Sequence, residues 1–102
     1  MPTDLWIYER RDNADREALG NAALNMCRAY RAREGIRSAR FYWHQTEIVV
    51  LLVEGDLNGF TAPADANYAR VAFELADLAR RTMYMRLTDP REGQETYHLA
   101  GR

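Results

Sequence analysis

The chain has 102 residues, 47% of them apolar and 28% charged, and its 14 basic and 15 acidic residues leave a net charge of −1. Length and composition are those of one globular domain, and the balanced charge does not advertise a nucleic-acid or membrane partner. The longest apolar run, Ile48 to Val53, is too short to cross a bilayer, Met1 to Leu5 carries no secretory pattern, and the lone Cys27 excludes an internal disulfide and suits a reducing cytoplasm, the expected location.

Leu5–Arg10, short, aromatic and β-branched, reads as a first strand. Asp12 or Asn13 can cap the helix that follows, with Asp15 and Glu17 placing negative charge in its first turn. Leu19, Ala22, Ala23, Met26, Cys27 and Tyr30 recur at helical spacing, and Gly35 with Ile36 offers a Schellman stop. Ala39–His44 and Ile48–Glu54 read as a hairpin whose turn, around Gln45 and Thr46, has no signature residue. The stretch from Glu54 to Pro63, with Gly55 and Gly59, reads as a loop, and Thr61 with Pro63 marks a helix entrance. Tyr68, Val71, Ala72, Leu75, Leu78 and Ala79 form a second apolar stripe within a helix expected over Ala64–Arg81. Met83–Thr88 is the fourth strand, Asp89 to Gly93 a turn, and Glu95–Leu99 a short extra strand or tail. The order β-α-β-β-α-β predicts an α+β, ferredoxin-like domain over residues 1–102, with an antiparallel sheet, both helices on one face and a short C-terminal extension at 89–102.

Strand alternation sorts the side chains into two sets. Leu5, Ile7, Phe41, Trp43, Met83, Met85 and Leu87 suit helix packing; Trp6, Tyr8, Tyr42, His44, Tyr84 and Arg86 are mostly aromatic groups with polar handles. A two- or four-residue turn in the hairpin places Tyr42 opposite Val49, so that Val49, Leu51 and Val53 join the second set. On this alternation Trp6 and Trp43 fall on opposite faces. Two helices cover one face, nothing in the chain is left for the other, and a second copy of the sheet is the economical cover.

Strands such as Leu5-Trp6-Ile7-Tyr8 and Arg40-Phe41-Tyr42-Trp43-His44, in this element order, resemble the dimeric α+β barrel superfamily, which includes the antibiotic-biosynthesis-monooxygenase-like, EthD-like and stress-responsive barrel families. The likeness runs from Leu5 to Thr88. It implies a homodimer whose two sheets close into a barrel, with a small ligand in the barrel interior or in a cleft between sheet and helices. It also implies cofactor-independent oxygenation, isomerisation or cyclisation of an aromatic or polyketide-like molecule, as in secondary metabolism. A non-catalytic ligand sensor, carrier or accessory protein is the alternative. The haem-degrading branch is disfavoured, because the first strand has no Asn and the second helix no His.

The candidate catalytic residues are His44, Arg86 and Tyr42. His44 is either a surface residue at a strand end or a general acid–base. Arg86 is either paired with Glu9, Glu47 or Glu54 or anchors an enolate or other anion. Tyr42, Tyr8 and Tyr84 are either packing aromatics or groups that orient a phenol or quinone. Trp6, Tyr8, Tyr84, Val49 and Leu51 are the candidate substrate-binding residues. Cys27 reads as a small buried hydrophobe and His98 as an exposed tail residue. No metal-ligand spacing, phosphate loop or Gly-x-Ser-x-Gly occurs, so no metal or cofactor is expected. The third strand lacks the aromatics of an RNA-recognition module, and the basic run Arg28, Arg31, Arg33, Arg37 and Arg40 is read as a solvated helix face and end.

Overall fold

The structure is a computed structural model that describes residues 3–55 and 66–87. Within them the elements are β1 (Thr3–Arg10), α1 (Arg16–Arg31), β2 (Ile36–His44), β3 (Ile48–Gly55), α2 (Ala66–Leu78) and β4 (Ala79–Leu87). The strands form one antiparallel sheet in the order β2-β3-β1-β4. This is the expected ferredoxin-like topology, with β1 and β3 central. The expectations for Gly59, Thr61 and Pro63, for the turn and tail after Leu87, and for His98 lie outside the described residues. No helix among the described residues is long and apolar enough to cross a membrane.

Several boundaries differ from the sequence reading. Asp15 is the residue that caps α1, its carboxylate accepting the Ala18 N–H at 2.9 Å. Asn13 instead takes a left-handed backbone, φ 67°, in a turn that the Ala14 N–H closes on the Arg11 carbonyl at 3.0 Å. α1 stops at Arg31 with Ala32 as an ordinary helical cap, and Gly35, at φ 90°, turns the chain into β2. Gly55 is a strand residue. A Cβ there would lie 2.5 Å from the Gly35 carbonyl oxygen and 2.7 Å from Ile36 Cα, so only glycine fits where β2 and β3 meet. α2 ends at Leu78, short of Arg81, because Ala79 and Arg80 pair with Arg10 and Glu9 of β1.

One face of the sheet packs on the helices. Leu19, Ala22, Ala23, Met26 and Cys27 of α1 and Val71 and Leu75 of α2 meet Trp6, Ala39, Val49, Leu51 and Val53 in one buried cluster. Burial pushes the Cys27 thiol from 9.0 up to about 11, against the opposing charge of Arg31. An unfolded thiol therefore loses its proton first, and stability falls as pH rises from 9 to 11. Thermal melts across this window are expected to show that decline, and Cys27→Ala to remove about one proton from its slope. An unchanged slope would mean that the thiol titrates alike in both states. Tyr8 and Tyr30, raised by burial, add to the decline only above pH 10.

The register reverses the expected use of the faces. His44 pairs with Ile48, so the hairpin loop is the three residues Gln45, Thr46 and Glu47, with Gln45 left-handed at φ 58°. The expected even-numbered turn is wrong by one, and a one-residue slip moves every side chain of a strand to the other face. Phe41 and Trp43 thus join Trp6, Tyr8, Val49, Leu51 and Val53 toward the helices, and Trp43 shares a face with Trp6. Tyr42 and His44 lie on the open face, with Leu5, Ile7, Val50, Leu52, Met83, Met85 and Leu87. That face leaves Tyr42 50% and Met83 47% exposed.

Candidate functional site

A cavity of about 300 Å³ opens between the helices and the strands β1 and β4. Trp6 and Tyr8 reach it from alternate positions of β1, Met26 and Tyr30 from α1, and Tyr68, Ala72, Leu75 and Ala76 from α2. Arg11, Ala79 and Arg81 complete the wall. The alanines matter by their size, since longer side chains on α2 and at the start of β4 would fill the gap. A larger groove of about 560 Å³ beside Arg16, Leu24, Phe41 and Trp43 has walls from only α1 and the edge strand β2. The cleft, walled by four elements, is the better enclosed and is the candidate site.

Its aromatics form a continuous row. Tyr84 leans on Trp6 with ring centroids 5.2 Å apart, Trp6 stacks on Tyr30 at 5.5 Å, and Tyr30 meets Tyr68 edge-on at 5.5 Å. The Tyr68 hydroxyl donates to the Tyr30 oxygen at 3.2 Å, and the Arg33 guanidinium lies 4.9 Å from the centre of the Tyr68 ring. Burial, with the neighbouring Tyr68 phenol adding in the same direction, drives the Tyr30 phenol far above its ordinary value. Burial also raises Tyr8, although the positive charge of Arg81 pulls the other way. Both phenols are therefore neutral hydrogen-bond donors at neutral pH rather than bases.

Asp4, which the sequence reading did not single out, organises one end of this row. Its carboxylate is 2% exposed, accepts the Tyr84 hydroxyl at 2.5 Å, and accepts Arg86 Nε at 3.3 Å. The expected partners of Arg86 are engaged elsewhere: Glu9 with Arg80 at 3.1 Å, Glu47 with Arg10 at 2.6 Å, and Glu54 with the Ser38 hydroxyl at 3.4 Å. The hydrogen bond to Asp4 holds the Tyr84 phenol above its usual value, and the Tyr84 contact raises the Arg86 guanidinium in turn. β4 is an edge strand of this chain, so Arg86 keeps 47% of its side chain exposed.

The sequence-predicted residues thus divide. Trp6 and Tyr8 line the cleft, and Tyr84 and Arg86 stand beside it. Val49 and Leu51, each 1% exposed, are core residues outside the cavity wall. Tyr42 and His44 lie on the opposite face of the sheet, so they cannot share a pocket with Arg86 and Tyr84 within one chain. Tyr30 and Tyr68 were legible only as members of helical apolar stripes, and Arg11 and Arg81 carried no sequence signal. Among the described residues no three of His, Cys, Asp and Glu come together as a metal site.

No protein-family model matches the chain, and no curated protein is significantly similar to it in sequence. Solved structures are similar in fold. SnoaB, a cofactor-independent oxygenase from Streptomyces nogalater, superposes with a TM-score of 0.74 at 12% identity over 86% of this chain and 91% of its own. Rv0793 from Mycobacterium tuberculosis gives 0.69 at 20% identity over 87% and 95%. An antibiotic biosynthesis monooxygenase gives 0.66 at 11% identity over 87% and 98%.

Proposed function

We propose that this chain, which has the ferredoxin-like fold of the antibiotic biosynthesis monooxygenases, is a homodimeric small-molecule-binding barrel that takes an aromatic, polyketide-like molecule into the cleft and acts on it without a cofactor. The aromatic cleft carries the reading: about 300 Å³ walled by Trp6, Tyr8, Tyr30 and Tyr68 suits a planar molecule of two or three fused rings. The neutral phenols of Tyr8 and Tyr30 supply hydrogen bonds to an oxygen on which negative charge develops, and so favour the enolate or phenolate of the substrate over its neutral form. Once its activated methylene has lost a proton, such a carbanion reduces dioxygen itself. The methylene becomes a carbonyl, one oxygen atom enters the product and the other leaves as water. Electrons balance with no external reductant.

The second reading, a ligand-binding or accessory protein of the same fold, draws support from the cavity wall, to which the described residues bring no imidazole or carboxylate to move a proton. One experiment separates the two. In a Trp43→Phe protein, Trp6 is the sole indole, and titration with a hydroxyanthrone is expected to quench it saturably while an electrode records about one dioxygen consumed per anthrone oxidised. Quenching without dioxygen uptake leaves the binding role alone, and no saturable quenching removes the cleft as a site. His44→Ala, on the far face, is expected to leave the affinity within about twofold.

A further inference from the structure

We infer that the cleft selects aromatic carboxylates, with Arg11 and Arg81 at its mouth holding the carboxylate while the ring lies against Trp6 and the tyrosines. The inference rests on the cleft being the ligand site and adds the charge of the ligand. Among the described residues, two guanidinium groups enter the wall and no carboxylate does. Elsewhere in the described residues, Arg10, Arg70, Arg80 and Arg86 each meet a carboxylate. Neither Arg11 nor Arg81 forms such a pair among the described residues. The acids nearest in chain, Glu9 and Asp12, line a neighbouring depression that Arg11 also borders, and Glu9 is held by Arg80. Among the described residues, the charged groups of the cavity wall are therefore both positive.

Both arginines are put there by specific local structure. Arg11 is tied down at the end of α2: its N–H donates to the Leu78 carbonyl at 3.0 Å and its Nε to the Ala76 carbonyl at 2.9 Å. With Nε spent on the helix, the two terminal nitrogens remain as the donor fork that matches a carboxylate. Arg81 arrives by a β-bulge. Ile7 pairs with Met83, yet the next residue, Tyr8, pairs with Arg81 rather than Thr82. Without that shift Thr82 would occupy the Tyr8 face and Arg81 would point to the open face. The extra residue exchanges a hydroxyl for a guanidinium at the cleft, the way bulges re-aim side chains beside binding sites. Thr82 instead spends its hydroxyl on the Ile7 carbonyl at 3.3 Å.

The test uses 2-naphthoate and its neutral isostere 2-naphthamide as probes of the full chain at pH 7, read by calorimetry. The wild-type protein is expected to prefer naphthoate by about tenfold or more, with the preference shrinking as salt is raised. Arg81→Gln is expected to reduce the preference to about twofold or less, chiefly by weakening naphthoate binding, while the folded spectrum is retained. Arg11→Gln is expected to do the same, but it also frees the end of α2, so Arg81→Gln is the deciding variant. Equal binding of the two probes, or a preference that survives Arg81→Gln, overturns carboxylate selection and leaves the aromatic cleft standing. Failure of both probes to bind overturns the cleft reading, and this inference with it.

Discussion

Leu51→Ala is expected to lower the stability of the protein by about 3 kcal/mol, the usual cost of emptying a fully buried leucine site. Leu51 is 1% exposed and sits mid-sheet, paired with Trp6 on one side and Phe41 on the other, beneath the helices. Neighbours on both sides belong to paired strands and cannot collapse into the space, so the cavity penalty adds to the lost transfer free energy. Chemical denaturation at fixed protein concentration measures it, because an associating protein has a concentration-dependent midpoint. The sequence reading made Leu51 a ligand contact. A loss under about 1 kcal/mol together with weakened ligand binding would return it to that role.

The second large effect concerns the open face. Leu5, Ile7, Val50, Leu52, Met83 and Met85 form an apolar sheet surface with no cover among the described residues, and the proposed homodimer covers it with a second copy. The wild-type protein is then expected to sediment at twice its 11.8 kDa chain mass at micromolar concentration. Val50→Glu places a carboxylate in the middle of that surface, opposite Ile7 and Tyr42. In a two-fold dimer each substitution occurs twice, so two unpaired carboxylates are desolvated in a dry interface. The dissociation constant is expected to rise by roughly 1,000-fold or more, since each uncompensated charge costs several kcal/mol. The separated chains are expected to keep their helical spectrum, because Val50 faces away from the core. A wild-type monomer, or a Val50→Glu protein that remains dimeric, rules out this face as the interface.

The elements were legible because their periodicities are unambiguous. β1 alternates aromatic and aliphatic residues, β3 is apolar on both faces, and each helix carries a stripe at helical spacing. The grouping of Trp6, Tyr8, Tyr84 and Arg86 on one face also followed from alternation alone. What failed was phase and polarity of use. The phase of β2 depends on the length of a loop without signature residues, and the phase of early β4 on a bulge that leaves no trace in composition. The face that meets the helices proved to be the one with tyrosine, tryptophan, aspartate and arginine, which run into the cleft and its edge. The plainer hydrocarbon set lies on the open side. Tyr30, Tyr68 and Asp4 were obscured for a common reason: a buried aromatic on a helix and a carboxylate at a strand start look like ordinary packing and capping until a partner on another element is seen.

The three-residue loop between β2 and β3 constrains how this protein can change over evolutionary time. Adding or deleting one residue there, with β2 slipping along β3 to restore the three-residue loop, would turn Phe41 and Trp43 outward and Tyr42 and His44 inward. Length changes at this tip are therefore tolerated in steps of two, or with a compensating bulge further along β2. Homologues with odd differences in loop length should carry that bulge, and a designer grafting a new loop onto the hairpin inherits the same rule.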